Sequence, residues 1–234
     1  MSTTTLNLLA IAIFLMTFSA LLGPLVNLSP TVPSAVILGV AALTGVDRLF
    51  WDGQGGTLLV DWFATRSPEH RDRVANHEAG HFLVAHRLGI PVTGYALSAW
   101  EAFRQGQKGA GGVRFDDGEL MAELDQNQLS AQRLSNYSAV WMAGIAAETL
   151  VFGDAKGGGE DQEMLRSVLM QLNRSNPRGA PNFETQAGIS RLRAKTMIED
   201  HRTAYDQLVE AMKGGQPVED CIAILEEWRS PLAA

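Results

Sequence analysis

The chain has 234 residues, a net charge of −7, a sequence pI near 5.2 and one cysteine. An acidic chain without a basic cluster argues against a nucleic-acid-binding protein. The single cysteine, Cys221, excludes a disulfide framework within the chain and any zinc site built from several cysteines. No Gly-Lys dipeptide occurs, so the phosphate loop of Walker-type ATPases is absent and the sequence predicts no use of ATP.

Two apolar runs near the amino terminus, residues 6–22 and 32–46, predict a membrane helical hairpin over residues 1–50. At 1.5 Å per residue the runs span roughly 25 and 22 Å, which is short of the roughly 30 Å hydrocarbon core unless flanking residues contribute. A buried helical pair is the alternative. Lys and Arg are absent from the intervening turn but follow the second run, which predicts that the rest of the chain is cytoplasmic.

A well-delimited helix is predicted after a linker over residues 51–66. Ser67 is a good N-cap, and Pro68 suits the first helical position. Gly89, followed closely by Pro91, indicates where the helix ends. This helix begins a domain that we predict to cover residues 67–234.

The helix contains an H-E-x-x-H motif at His77–His81. Positions four apart lie on one face of a helix, so His77 and His81 can bind the same metal ion. Glu78 lies about 100° away around the helix, where it can act as a general base toward water on the metal. The alternative is a chance spacing of two histidines and a glutamate.

The rest of the domain is predicted to be mainly helical with one β-hairpin, an α+β fold. Residues 90–98 and 113–115 read as strands, joined by a long glycine-rich tip. The hairpin either holds an extended peptide by strand addition or simply covers the helix. Helices are predicted over residues 130–150, from a glycine loop to residue 172, over 184–212 as one helix or two, and over 218–228.

A catalytic zinc ion needs a third protein ligand and an open position for water. The sequence offers three carboxylates. Glu101 follows the first strand, Glu148 lies on an apolar helix, and Asp161 opens a helix after a glycine loop. Glu148 could equally orient a histidine ring as a hydrogen-bond acceptor. These residues alone leave the third ligand open.

Three segments together resemble the peptidase domain of the FtsH family of membrane-anchored zinc proteases. They are His77–His81, Ala143–Glu148 with the following Phe152-Gly153, and Gly157–Asp161. The resemblance implies a zincin-like peptidase domain. Residue by residue, it implies His77, His81 and Asp161 as zinc ligands and Glu78 as the base that activates water.

The chain departs from the family in three places. The ATPase module that lies between the membrane helices and the peptidase domain is missing, as in the shortened cyanobacterial and plastid relatives. Ile145 stands where the family usually has Arg. Glu160 and Gln162 flank Asp161 where the family usually has Asn and Leu.

These features predict a membrane-anchored zinc endopeptidase that acts without ATP on unfolded or flexible protein segments. The predicted location is the cytoplasmic or thylakoid membrane, with the peptidase domain on the cytoplasmic side. The partners expected beyond substrates are further copies of the chain or a full-length FtsH-type protease. The alternative function is a non-catalytic or regulatory partner of such a protease.

Overall fold

The structure, a computed structural model, divides into two compact units, Met1–Thr57 and Leu58–Ala234. The division lies within the predicted linker. The residues that the structure describes are 10, 13–14, 16–19, 21–23, 29, 31–50, 55, 67–106, 111–175 and 181–228.

In the first unit, the second apolar run lies in helix α1, Thr31–Phe50. Large apolar side chains of this helix are exposed, among them Leu38 and Leu49. Eight of the seventeen residues of the first run, and most of the turn after it, lie outside the described residues. Among the residues that are described, no helix has the length and apolar character needed to cross a bilayer. The membrane hairpin over residues 1–50 stays a prediction.

The second unit is mainly helical with one small antiparallel sheet, which confirms the predicted α+β class. Its strands are β1, Val92–Ala96, and β2, Gly112–Phe115. Its helices are α2, Pro68–Arg87; α3, Ala99–Arg104; α4, Gly118–Asp125; α5, Ala131–Trp141; α6, Ala143–Phe152; α7, Gly159–Ser175; α8, Phe183–Asp200; α9, Arg202–Lys213; and α10, Val218–Glu227.

Helix α2 carries the H-E-x-x-H motif and has the predicted ends. The Ser67 side chain accepts a hydrogen bond from the His70 N–H at 3.4 Å, and Pro68 is the first helical residue. Gly89 has a φ of 71°, a left-handed conformation that terminates helices readily when the residue is glycine. The capping residues thus determine the length of the helix.

The other elements of the second unit pack around α2, which contacts α5, α6, α8, α9, α10 and both strands. Its closest neighbour is α6. A Cβ atom at Gly80 would lie 2.7 Å from the Ala143 carbonyl oxygen and 2.8 Å from the Ala147 Cβ, so glycine is needed for this approach. The Tyr205 hydroxyl of α9 donates to the Asn76 carbonyl at 2.9 Å, which ties a second helix to the motif.

The predicted hairpin is confirmed, with Val92 paired to Phe115 and Ala96 paired to Gly112. Its tip differs from the predicted loop, because α3 forms there. The Ser98 side chain accepts from the Glu101 N–H at 3.1 Å, and the Glu101 carboxylate accepts from the Leu97 N–H at 2.8 Å. This reciprocal pattern is close to a capping box, which stabilises a helix start.

One predicted long helix is divided, and the segment predicted as one helix or two forms two. The segment predicted as one helix over residues 130–150 turns at Met142 between α5 and α6. The segment over residues 184–212 divides at His201 between α8 and α9. The helices on both sides of each break contact α2.

Candidate metal centre

The two histidines of the motif lie on the buried face of α2. Their ring centroids are 4.7 Å apart, and their side chains are 11% and 6% exposed. His81 Nδ1 lies 2.7 Å from the Val140 carbonyl oxygen. A carbonyl can only accept, so His81 donates from Nδ1 and its Nε2 is left to bind a metal.

His77 is oriented in the same way by a carboxylate. Its Nδ1 lies 2.7 Å from Glu148 Oε1 on α6. The Glu148 carboxylate also accepts the N–H groups of Lys156 at 2.9 Å and Gly157 at 3.1 Å. Metal-binding histidines commonly hydrogen-bond a carboxylate through the second ring nitrogen, which fixes the ring orientation. Of the two roles considered for Glu148, this geometry supports the orienting one.

Asp161 completes the cluster from the first turn of α7. Its Oδ2 lies 3.1 Å from His77 Nε2 and 3.4 Å from His81 Nε2. A tetrahedral zinc site with bonds of about 2.0–2.1 Å separates neighbouring donor atoms by about 3.3 Å. Asp161 Oδ2 therefore lies at about the spacing of a zinc ligand from each Nε2 atom, and the three donor atoms, all within 4.8 Å of one another, could hold a metal ion.

Glu101, the other candidate for the third ligand, lies outside this cluster. Its carboxylate accepts the Leu97 N–H at the start of α3. A carboxylate that accepts a backbone hydrogen bond at the start of its own helix is held there, away from the cluster. The structure thus brings together the three ligands implied by the resemblance and separates them from Glu101.

Glu78 is half-buried beside the cluster and is not one of its three members. Its Oε2 accepts the Val113 N–H of β2 at 2.9 Å. Gly112 beside it has a φ of 123°, which favours glycine, whereas an added Cβ would lie at an ordinary contact distance of 3.7 Å from the same oxygen. Burial raises the pKa of the Glu78 carboxyl, although the charges of His81 and His77 oppose the rise. A raised pKa suits a carboxylate that accepts and returns a proton near neutral pH.

The charges of the cluster are strongly coupled in the absence of a metal. Burial alone would lower the pKa of His77, but hydrogen bonds to Asp161 and Glu148 raise it to about 10. Burial alone would raise the pKa of the Asp161 carboxyl, but His81 and His77 hold it well below its usual range. A metal ion binds the neutral imidazole, so metal binding would compete with protonation of these histidines.

Several contributors escaped the sequence reasoning. The Val140 carbonyl and the Val113 N–H are backbone groups, which any residue type supplies, so no signal could have identified them. Arg73 had a signal, since it lies one helical turn before His77 on the same face of α2. Gly144 of α6 contributes by leaving room for the His77 ring, which an added Cβ there would overlap.

Comparison with known proteins assigns no family to the chain. No family model matches it, and no match was found among curated proteins. The resemblance to the FtsH peptidase domain rests on the three motif segments, and the case for a function rests on the geometry of the site.

Proposed function

We propose that this protein is a zinc-dependent endopeptidase with a zincin-like, FtsH-type domain over residues 67–234. One observation carries the proposal. The Nε2 atoms of His77 and His81 converge with Asp161 Oδ2 at the spacing of zinc ligands. Glu78 adjoins them as a carboxylate that is not needed as a ligand. A purely structural site has no use for such a base.

The chemistry follows from these groups. Zinc held by two imidazoles and a carboxylate acts as a Lewis acid toward a carbonyl and lowers the pKa of coordinated water. Glu78 would take the proton of the attacking water and then donate it to the leaving amine. The Val113 N–H holds Glu78 Oε2, while Oε1 has no hydrogen-bond partner among the described residues. The free oxygen is the one suited to exchange the proton.

The hairpin supplies a place for the substrate. The Val113 N–H bonds to Glu78 and so points away from β1. The outer edge of β2 therefore runs beside the base, where an extended peptide could add as a further strand. Strand addition requires an extended, unpaired backbone. Unfolded or flexible segments are the substrates that suit a chain without an ATP-binding motif.

Two further parts of the proposal come from the sequence. The apolar runs within residues 1–50 suit a membrane anchor, with the peptidase domain on the cytoplasmic side of a cytoplasmic or thylakoid membrane. Extraction of native membranes with alkaline carbonate tests the anchor, and release of the chain into the supernatant would contradict it. Partners would be protein substrates, further copies or a full-length FtsH-type protease.

The decisive experiment is cleavage of a fluorescently labelled unfolded casein by the purified full chain without ATP. Wild type, chelator-treated wild type, Glu78→Gln and the control Glu101→Gln would be compared, each with its bound zinc measured. We expect Glu78→Gln to retain zinc and to lose about 10²–10⁴-fold in rate, as removal of a general base does. The control should match wild type.

Two outcomes count against an endopeptidase. Undiminished cleavage by Glu78→Gln would overturn the assigned mechanism. Zinc binding with no cleavage by any sample would favour the non-catalytic partner of a larger protease. Co-purification of such a protease with both wild type and Glu78→Gln would then support that alternative.

A further inference from the structure

The third ligand is attached to a segment with little conformational restraint of its own. The loop that joins α6 to α7, residues 153–158, ends three residues before Asp161. Gly153 and Gly158 have φ values of 82° and 88°, and Gly157 lies between them. Glycine gives a backbone the widest choice of conformations. The position of Asp161 must therefore depend on contacts made by the loop with the rest of the domain.

Arg73 of α2 supplies several of these contacts. Its guanidinium donates to the Asp154 carboxylate at 2.7 Å and to the Asp154 carbonyl at 3.3 Å. It also donates to Glu148 Oε2 at 3.4 Å, and it lies 4.4 Å from the centroid of the Phe152 ring. The side chain is only 12% exposed. One residue thus contacts the end of α6, the loop after it and the carboxylate that orients His77.

We propose that Arg73 is a positioning residue of the metal site, which holds the 153–158 loop against α2 and so sets where Asp161 meets the two imidazoles. The inference rests on the metal site of the proposed function, but it does not depend on peptidase activity. Arg73 touches neither the ligands nor a substrate. Its effect passes through Asp154 to the loop and through Glu148 to His77.

The shape of the guanidinium explains why arginine suits this position. Its planar fork reaches the Asp154 carboxylate, the Asp154 carbonyl and the Glu148 carboxylate at the same time. The ammonium group of lysine is a compact point charge that cannot match a forked arrangement of acceptors. Arg73→Lys should therefore preserve the charge and lose part of the geometry.

The test measures zinc affinity of the full chain by competition with a chromophoric chelator. Loss of an outer contact to a metal ligand typically weakens binding about 10–100-fold. Arg73 acts one contact further out, so we expect Arg73→Ala to weaken zinc binding by about 10-fold, at the lower end of that range, and Arg73→Lys to lie between it and wild type. Arg71→Ala is the matched control, since Arg71 is exposed on the same helix and its loss changes the charge equally.

Unchanged zinc affinity in a folded Arg73→Ala protein would overturn the inference. Asp154→Ala provides a second test if that variant does not fold, because it removes the carboxylate contact while Arg73 remains. We expect weaker zinc binding there as well. Two mutations that break the same contact should also have less than additive effects, which a merely destabilising role would not produce.

The same measurements separate this inference from the proposed function. If the wild-type chain does not bind one zinc ion per chain, the metal site itself is refuted. If wild type binds zinc and Arg73→Ala binds it with equal affinity, only the positioning role is refuted.

Discussion

The candidate metal centre joins two regions that obtain their geometry in different ways. Helix α2 contributes His77 and His81, whose separation follows from four residues of regular helix. Asp161 lies in the first turn of α7, directly after the 153–158 loop and 84 residues beyond His77 in the chain. The histidine side chains are 11% and 6% exposed and that of Asp161 is 22% exposed. A helix thus presets two ligands, while the third is placed by long-range contacts.

The difference extends to the groups that support each ligand. His81 is oriented by a backbone carbonyl in the core, and α2 packs against α6 through Gly80. The loop is held by Arg73 and by its N–H contacts to Glu148. Removal of one side chain can therefore disturb the loop, whereas the helix can be disturbed only by altering a ligand or the core.

The largest effect is expected from removing a ligand on the helix. His81→Ala should abolish stoichiometric zinc binding and lower thermal stability, because it deletes a ligand and leaves a cavity in the core. Asp161→Ala should weaken zinc binding with a smaller loss of stability, since its side chain is partly exposed. Zinc content after gel filtration and the unfolding midpoint measure both effects.

Glu101→Ala is the control for these ligand variants. It should retain full zinc content, because Glu101 lies outside the cluster and caps α3. Loss of zinc from this variant, with zinc retained by Asp161→Ala, would reverse the assignment of the third ligand.

A moderate effect is expected from stiffening the loop. Gly158→Ala places a Cβ against the Ile145 side chain at a φ of 88°, whereas Gly153→Ala, at a φ of 82°, meets nothing within 4 Å. Both substitutions should cost roughly 1–2 kcal/mol for a left-handed non-glycine residue. Only Gly158→Ala should also weaken zinc binding, because only there must the loop shift beside Asp161.

Urea unfolding and chelator competition on the two glycine variants give both quantities. Equal zinc affinities for Gly158→Ala and Gly153→Ala would mean that the position of the loop does not govern the third ligand.

A further effect concerns pH in the chelated protein. The folded pKa of His77 is raised from 6.5 to about 10. The resulting stabilisation is complete below pH 6.5 and is lost as the pH rises toward 10. Zinc binds neutral imidazoles, so the zinc-loaded protein has no such proton to lose. The unfolding midpoint should therefore fall more between pH 6.5 and 9 without zinc than with it.

Comparison of the two forms cancels the titrating groups that lie away from the cluster, which are the same in both. A chelated protein as insensitive to this pH range as the zinc-loaded one would contradict the bonding of a protonated His77 by two carboxylates.

Local signals predicted much of the domain. Ser67 and Gly89 marked the ends of α2, and the alternation of residues predicted both strands. The same reasoning missed the turn at Met142 and the helix in the hairpin tip. The turn has no breaking residue and follows from packing on α2. In the sequence, Glu101 looks like a carboxylate that is available to a metal. Only the structure shows that it is used with Ser98 to cap α3.

The sequence by itself determined the pair of histidines, the adjacent Glu78 and the helix that carries them, because helical periodicity converts the spacing of the histidines directly into a shared face. It left Glu101, Glu148 and Asp161 as rivals until a resemblance was invoked. Only the tertiary structure assigned one carboxylate to a cap, one to His77 Nδ1 and one to both Nε2 atoms. Those assignments depend on packing between distant segments, for which local sequence carries no periodic signal.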